Sequence, residues 1–556
     1  MYCTVSLIFL SPLFSYDHIG SAIYPGDPRL NAWILAWANR FMSGHVSSLF
    51  DSNIFFPATG TLAYSEHLFG IALFSLPFNL LTHNPILSYN VIWWISYPLT
   101  ASSVHSMGRS FLTSDVSCVF FSTLFTFGFF RMLHGHGHLQ LLWVFWLPLG
   151  LLATDSWFKE PSLKTTIALT ICLVMQILSS WYLGVFAILA VALSLTVHGV
   201  VELLHNGTEA RSTLIAARIR HLIAYLVPAC AISALVILPF ARPYYGVLET
   251  VPDEPHRFAA RLLDYVTVPS DTWVGMILQR AGYRSLPWSF GETTVFQGFI
   301  TLALAAIGLY SVAVRGSTRA RQAASFLLLL STTACLLSLG PRSPRSAWPL
   351  WPFDVFASMP GMQFFRTPAR FAMLVSFGLA GLAGLGAESV ARMIGPRKRW
   401  ALFALLALGL SESYLWRFPL GHPERQAIPR IYAYLAKLKP GPAVSLPSHR
   451  GTDQWWREAD YQLYSTIHWY PIVNGYSRSE PPDHYWITGH MMAFPGPNSA
   501  RTMRRLGVRY VIVHSDRYPD RGAAVLEEAA HTEDYRMLLQ DDGIFLFEVT
   551  PGRATP

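Results

Sequence analysis

The stretch "FFRTPARFAMLVSFGLAGLAGLGAESV", residues 364–390, sets two arginines immediately ahead of an apolar run that meets no charge until Glu388. A helix needs about 20 such residues to cross a hydrocarbon core of roughly 30 Å. Residues 371–393 therefore read as a membrane span, and the rest of the chain agrees. Of 556 residues, 52% are hydrophobic and 13% charged, and the mean hydropathy is +0.33, too apolar for a soluble chain of this length. Comparable runs lie at 85–107, 114–130, 138–154, 164–180, 181–204, 219–241, 294–314, 320–341 and 399–416. Residues 1–15 lack a basic start and a small-residue cleavage site, so they read as a short first span rather than a signal peptide. That gives about eleven spans. The segment "HLFGIALFSLPFNLLTH", 67–83, is shorter, carries Pro77 and reads as re-entrant.

The formal net charge is +8, but the cations fall in short clusters between apolar runs, which is the pattern of topology and not of a nucleic-acid surface. Arg211, Arg218 and Arg220 form one cluster, Arg315, Arg319 and Arg321 a second, and Arg397, Lys398 and Arg399 a third. Placing all three in the cytoplasm makes the intervening spans alternate consistently. The amino terminus is then cytoplasmic, and 16–84, 242–293, 342–370 and everything after 417 lie outside the cytoplasmic membrane. If 67–83 crossed fully, Asp27 would move to the cytoplasm; the brevity of that segment favours the first arrangement. Cys3, Cys118, Cys172, Cys230 and Cys335 all sit in apolar segments, with neither zinc nor disulfide spacing.

After residue 430 the texture changes. "GPAVSLP" and "VRYVIVHSD" read as buried strands, "NSARTMRRLG" and "RGAAVLEEAAH" as helices, and "YRMLLQDDGIFLFEV" as a hairpin turning at Asp541, Asp542 and Gly543. The fold class expected is a polytopic α-helical membrane protein of about eleven transmembrane helices with a small C-terminal soluble α/β domain. Its parts are a membrane domain 1–416 with external loop 16–84, a Pro-containing linker 417–429, and an extracytoplasmic domain 430–556.

Polar groups that could carry chemistry gather in the external loops. In "YPGDPRLNAW", 24–33, Asp27 lies in a turn ahead of a segment with Leu30, Trp33, Ile34, Trp37 and Phe41 at helical spacing, and with Asn31 beside them. The segment suits an amphipathic helix at the membrane surface. Asp27 would face an arriving polar head group, or serve only as turn former or helix cap. Further on come Asn53, Tyr64 and Glu66, the last at the head of the re-entrant segment, where an acid either works, is paired, or faces water at a helix start. Asp27 and Glu66 could hold a divalent cation, Mg or Mn, or divide proton removal and positioning between them. "RMLHGHGHLQLL", 131–142, offers Arg131, His134, His136, His138 and Gln140 to a metal, a phosphate or sugar hydroxyls. Arg366 and Arg370, four residues apart on the outer side where cations are depleted, suit a lipid-linked phosphate, with head-group anchoring as the plainer role. In the tail, "YQLYSTIHWYPIVNGYSRSEPPDHY" brings His468 and Asn474 among aromatic residues that stack on sugars or pack an interface.

Taken together, "GDPRLNAW", "NIFFPATGTLAYSEHLFG", "GHLQLL", "FFRTPARF" and the external tail resemble the GT-C superfamily of membrane glycosyltransferases, in particular bacterial relatives of the protein mannosyltransferase and lipid A aminoarabinose transferase families. The resemblance implies a polyprenyl-phosphate sugar donor and an acceptor glycan, lipid or protein on the outer face. It matches Asp27 to the first-loop acid, assigned to acceptor activation or metal coordination. This chain has "GDP" where the mannosyltransferase pattern has an Asp-Glu pair. Beside the resemblance, the external charge clusters themselves suit an inverting displacement, with Asp27 taking or polarising the acceptor proton and Arg366, Arg370 and Arg131 meeting the lipid phosphate. The rival is a nonenzymatic membrane protein, a transporter or an envelope scaffold. A transporter would place ionisable groups within its spans, yet Gln176 is the clearest strongly polar mid-span side chain.

Overall fold

The computed structural model describes residues 1–10, 19–135, 137–206, 208–247, 254–282, 291–342, 351–395, 399–415, 424–425, 428–449, 451–518 and 522–551. Its backbone divides into two compact units. One comprises Met1–Ser11, Trp93–Arg242 and Glu249–Gly421, the other Pro12–Ile92, Pro243–Leu248 and His422–Pro556.

The first unit is helical, and the run 371–393 forms its centre. The helix Ala372–Ile394, entered through a tight turn at Pro368–Phe371, is buried along most of its length. Its small residues explain why. A Cβ on Gly386 would fall 1.9 Å from the Leu304 carbonyl oxygen, and one on Gly308 would fall 2.2 Å from that of Leu382. Only glycine permits this backbone approach between Ala372–Ile394 and Phe299–Arg315. Gly378 does the same for Thr318–Ser338, where a Cβ would lie 2.6 Å from the Leu327 carbonyl oxygen. Gln176 also finds a structural task, its amide donating to the Trp143 carbonyl at 2.9 Å, where the chain leaves helix between Leu139–Leu142 and Trp146–Lys159.

Among the described residues, five helical segments are long and apolar enough to cross a membrane: Leu139–Lys159, Trp181–His205, Arg211–Tyr244, Thr318–Ser338 and Pro368–Ile394. Five shorter apolar helices accompany them, among them Phe69–Thr82 and Phe299–Arg315. The expected eleven are thus not all met as full spans. The helix Tyr2–Phe9 has 8 residues, about 12 Å of rise and less than half the hydrocarbon thickness; residues 11–15 of that expected span lie outside the described residues, as do Arg397, Lys398 and the side chain of Arg399. Phe69–Thr82 has 14 residues, about 21 Å, short of a crossing.

The second unit joins the opening loop to the tail. Strands β1 (Ala22–Ile23) and β2 (Glu424–Arg425) pair antiparallel. The main sheet orders β3 (Ala443–Leu446), β4 (Tyr510–His514), β6 (Ile544–Val549) and β5 (Tyr535–Asp541), with β3 parallel to β4 and the other pairs antiparallel. The β5–β6 turn has positive φ at both Asp542 (46°) and Gly543 (73°), as a two-residue hairpin requires. Val444, Leu446, Val511, Val513 and Phe547 pack with Met491 and Met503 from the flanking helices. The opening loop adds to this body through its backbone: Phe55 N–H donates to Asn474 O (3.1 Å), Phe56 N–H to Ile472 O (2.9 Å) and Ile472 N–H to Asn53 O (2.7 Å).

The helix Asp27–Met42 corrects the expected surface helix. Trp33 and Trp37 are buried, their indole N–H groups donating to Asn53 Oδ1 (3.2 Å) and Leu49 O (2.8 Å). The helix is buried nearly all round from Pro28 to Asn39, and even Arg29, on its first turn, is buried in an ion pair with Asp460 of the helix Glu458–Tyr464. Such a helix packs inside a protein body and does not rest on a bilayer.

Candidate functional site

In the second unit Gly26 (φ +75°) turns the chain sharply, and Asp27 opens the helix behind it. The half-buried Asp27 accepts a hydrogen bond at Oδ1 from the Tyr476 hydroxyl at 2.7 Å. Tyr476 is buried and stacked on Trp455, centroids 4.6 Å apart and planes 19° from parallel. Two residues beyond Asp27, Arg29 holds Asp460 Oδ1, while Arg517 Nη2 takes Oδ2 at 3.0 Å. One buried carboxylate thus fixes two guanidiniums, and through Arg29 fixes the helix start that carries Asp27.

The other polar groups expected at the site in this unit are mostly engaged in its core. Asn53 receives Trp33 and donates to Ser465 Oγ (3.1 Å) and Tyr470 O (3.2 Å). Asn474 receives Ser445 N–H (2.7 Å) and donates to Ser445 O and Glu458 Oε2, both at 2.9 Å. His468 is buried, accepts from Tyr470 N–H (2.9 Å), and is pushed down to about 3 by burial. These three side chains hold loops and strand edges; the amides of Asn53 and Asn474 are engaged on both the oxygen and the nitrogen, while His468 is engaged through Nδ1 and its buried Nε2 makes no hydrogen bond. Asn31 is buried within its helix, Tyr64 is half-buried with its ring edge-on to Phe55, and Glu66 is half-buried just ahead of Phe69–Thr82.

In the first unit a second cluster forms around a residue that the sequence reading passed over. Glu292 takes Arg370 bidentately, Oε2 from Nε at 3.1 Å and Oε1 from Nη2 at 2.6 Å. His138 Nε2 lies 3.5 Å and His134 Nε2 3.9 Å from the same carboxylate. Burial alone would raise the Glu292 carboxyl; the Arg370 guanidinium, then the two imidazoles, outweigh it and hold the group well below the usual carboxylate range. Burial pushes His134 down to about 3, so it is neutral at pH 7. The Arg370 guanidinium lies 4.8 Å over the Tyr182 ring, and the Tyr182 hydroxyl accepts the Arg366 N–H at 3.2 Å. Arg366 itself pairs with Glu254 at 3.1 Å. The pair expected to be open for phosphate is therefore matched arginine by arginine with acids. Glu292 shares the one signal that singled out Glu66, an acid in an external loop just before an apolar helix.

Arg131 takes a different place. It is buried and donates to the carbonyls of Thr126 (3.1 Å) and Leu142 (2.9 Å) and to Thr100 Oγ1 (3.3 Å), with Tyr97 beneath it. It fastens two helix ends, and a donor phosphate would have to displace those carbonyls. Gln140 is half-buried in Leu139–Leu142, and His136 lies outside the described residues.

Among the described residues, His134, His138 and Glu292 form the one group of three or more metal-type donors, their ligand atoms within 4.8 Å of one another. Asp27 and Glu66 belong to no such group. Two imidazole nitrogens and a carboxylate oxygen are a donor set that Zn²⁺ or Mn²⁺ accepts. The fit has direct support in His134, a neutral imidazole whose buried Nε2 makes no hydrogen bond.

No protein-family model and no curated protein matches the sequence. The fold, however, is that of the GT-C membrane glycosyltransferases. The mycobacterial arabinofuranosyltransferase AftD superposes with a TM-score of 0.59 at 15% identity, over 99% of this chain and 40% of that one. An oligosaccharyltransferase of Archaeoglobus fulgidus, solved with Zn and sulfate, superposes with a TM-score of 0.50 at 14% identity, over 94% of this chain and 68% of that one. The chain thus spans about two-fifths of the length of the arabinofuranosyltransferase it matches.

Proposed function

We propose that this chain is an integral membrane glycosyltransferase of the cytoplasmic membrane. It moves a sugar, a hexose in the simplest reading, from a polyprenyl-phosphate donor to an acceptor on the outer face, with inversion. The observation that carries the reading is the largely buried Arg370–Glu292–His134–His138 cluster in a fold shared with GT-C transferases.

The chemistry follows from those side chains. The departing lipid phosphate gains negative charge as the bond from C1 to the phosphate oxygen breaks, and a planar guanidinium can take two of its oxygens. Arg370 and Arg366 are each held in one orientation by a carboxylate, so phosphate would exchange with or share that partner rather than order a free side chain. His134, His138 and Glu292 would hold a divalent cation, in keeping with the zinc in the oligosaccharyltransferase structure. The positive charge of such an ion would offset the charge gained by the leaving phosphate. Asp27 accepts the proton of the acceptor hydroxyl as that oxygen bonds to C1, and Glu66 orients the acceptor.

The test uses purified protein in lipid nanodiscs, a panel of undecaprenyl-phosphate-linked hexoses and pentoses, and a bacterial envelope extract as acceptor. Release of undecaprenyl phosphate from one donor, with its sugar moved into the extract, supports the reading. Failure to cleave every donor removes it.

A further inference from the structure

We infer that the Glu292 cluster takes a divalent cation and a phosphate as a pair, each ligand tightening the other because Arg370 exchanges Glu292 for the phosphate. The coupling rests on the transferase reading above and adds to it a dependence between the two ligands of that site.

Arg370 engages both oxygens of Glu292, Oε1 at 2.6 Å and Oε2 at 3.1 Å. The same two oxygens lie 3.5 Å from His138 Nε2 and 3.9 Å from His134 Nε2. One carboxylate therefore has two claimants, the guanidinium that holds it and a cation that His134 and His138 would share with it. A cation drawing charge from either oxygen weakens the hydrogen bonds from Arg370, whose strength comes from that charge.

Each ligand alone leaves a charge stranded. The Arg370 side chain is 6% exposed, and the Tyr182 ring 4.8 Å from its guanidinium is a weaker partner than an anion. A cation on Glu292 would leave that guanidinium buried without its counter-charge, which is the costly way to break a buried pair. A phosphate on Arg370 would in turn leave the Glu292 carboxylate without its guanidinium. With both ligands present the charges match again, cation on the carboxylate and imidazoles, phosphate on the guanidinium. Each ligand thus removes the cost of the other, and reciprocity requires the same factor in both directions. Arg366 stands outside this exchange, since its own acid is Glu254 at 3.1 Å.

The experiment titrates Mn²⁺ into the metal-free, purified full chain in detergent, reading free Mn²⁺ by electron paramagnetic resonance with and without methyl phosphate. Saturating methyl phosphate should lower the Mn²⁺ dissociation constant at least about fivefold, the lower end for coupling between two ligands. Mn²⁺ should lower the dissociation constant of methyl phosphate by the same factor. In Arg370→Met the competitor for Glu292 is gone, so Mn²⁺ should bind more tightly on its own and methyl phosphate should shift it less than about twofold. Arg366→Met removes an equal charge without touching Glu292 and should keep most of the coupling. The exchange is refuted if methyl phosphate leaves the Mn²⁺ affinity of the natural protein unchanged or weakens it. It is equally refuted if the coupling survives in Arg370→Met or is lost to the same extent in Arg366→Met. The natural protein decides the first pair of outcomes, so a variant that fails to fold does not shield the claim. Donor cleavage on the same preparation separates the two readings. Coupling without cleavage of any donor retires the transferase, whereas cleavage without coupling retires the exchange alone.

Discussion

Replacing Asp460 by Asn should loosen the second unit more than any single change on its surface. The Asp460 side chain is 4% exposed and lies between Arg29 at 0% and Arg517 at 10%. Asn keeps the shape and removes the charge, leaving two buried guanidiniums with no anion between them. Removing one partner of a buried pair costs about 3–5 kcal/mol. The Arg517 guanidinium keeps a cation–π contact with Tyr461 at 5.0 Å, which favours the lower end. At about 1.4 kcal/mol per tenfold, 3 kcal/mol is a rise of about 150-fold in the open population of the helices that the triad joins. Hydrogen–deuterium exchange by mass spectrometry reads this directly in peptides covering Asp27–Met42 and Glu458–Tyr464. The companion variant, Arg29→Met with Asp460→Leu and Arg517→Met, removes every charge together and should restore most of the protection. If Asp460→Asn changes exchange less than threefold in both helices, the buried triad does not hold the loop to the tail.

Further outcomes follow from other sites. Gly386→Ala places a methyl 1.9 Å from the Leu304 carbonyl and should abolish the monodisperse peak in fluorescence size-exclusion. Gly199→Ala, with nothing within 4 Å of the added Cβ, should leave that peak unchanged or improved. His468 is held near 3 by burial against about 6.5 when unfolded, so the unfolded chain binds the extra proton as pH falls below 6.5. Stability should therefore drop on acidification by about 2 kcal/mol from this group between pH 6.5 and 5. His468→Gln should flatten that part of a pH-dependent urea titration of the tail, and an unchanged slope would contradict it. Titrating Zn²⁺ or Mn²⁺ into metal-free protein by calorimetry should reveal one site lost in both His134→Ala and His138→Ala; heats equal to those of the natural protein in either variant would dismiss the cluster as a metal site.

Much of the fold was legible because membrane insertion demands long apolar runs. The helix Trp181–His205 and the core helix Ala372–Ile394 fall within a few residues of their expected limits. The strands β3 to β6 lie inside the stretches whose alternation and turn residues marked them. What could not be read was partnership across the chain. Arg29 and Asp460 are 431 residues apart, and neither carries a local signal of burial. For the same reason Trp33 and Trp37 resembled interfacial tryptophans until the tail covered them. Asn474 and His468 looked like sugar ligands because polar and aromatic residues make the same pattern in a binding face and in a hydrogen-bonded core. Arg370 was visible, but Glu292, the acid that holds it, shares no sequence neighbourhood with it.

The most direct measurement of the central claim compares the natural protein with Asp27→Asn in nanodiscs, following both undecaprenyl phosphate released and the anomeric configuration of the glycoside formed by NMR. The account predicts a product of inverted configuration from the natural protein, and a rate at least about 100-fold lower in Asp27→Asn, the lower end for loss of a general base. Transfer with retained configuration, or Asp27→Asn turning over at the natural rate, would contradict it.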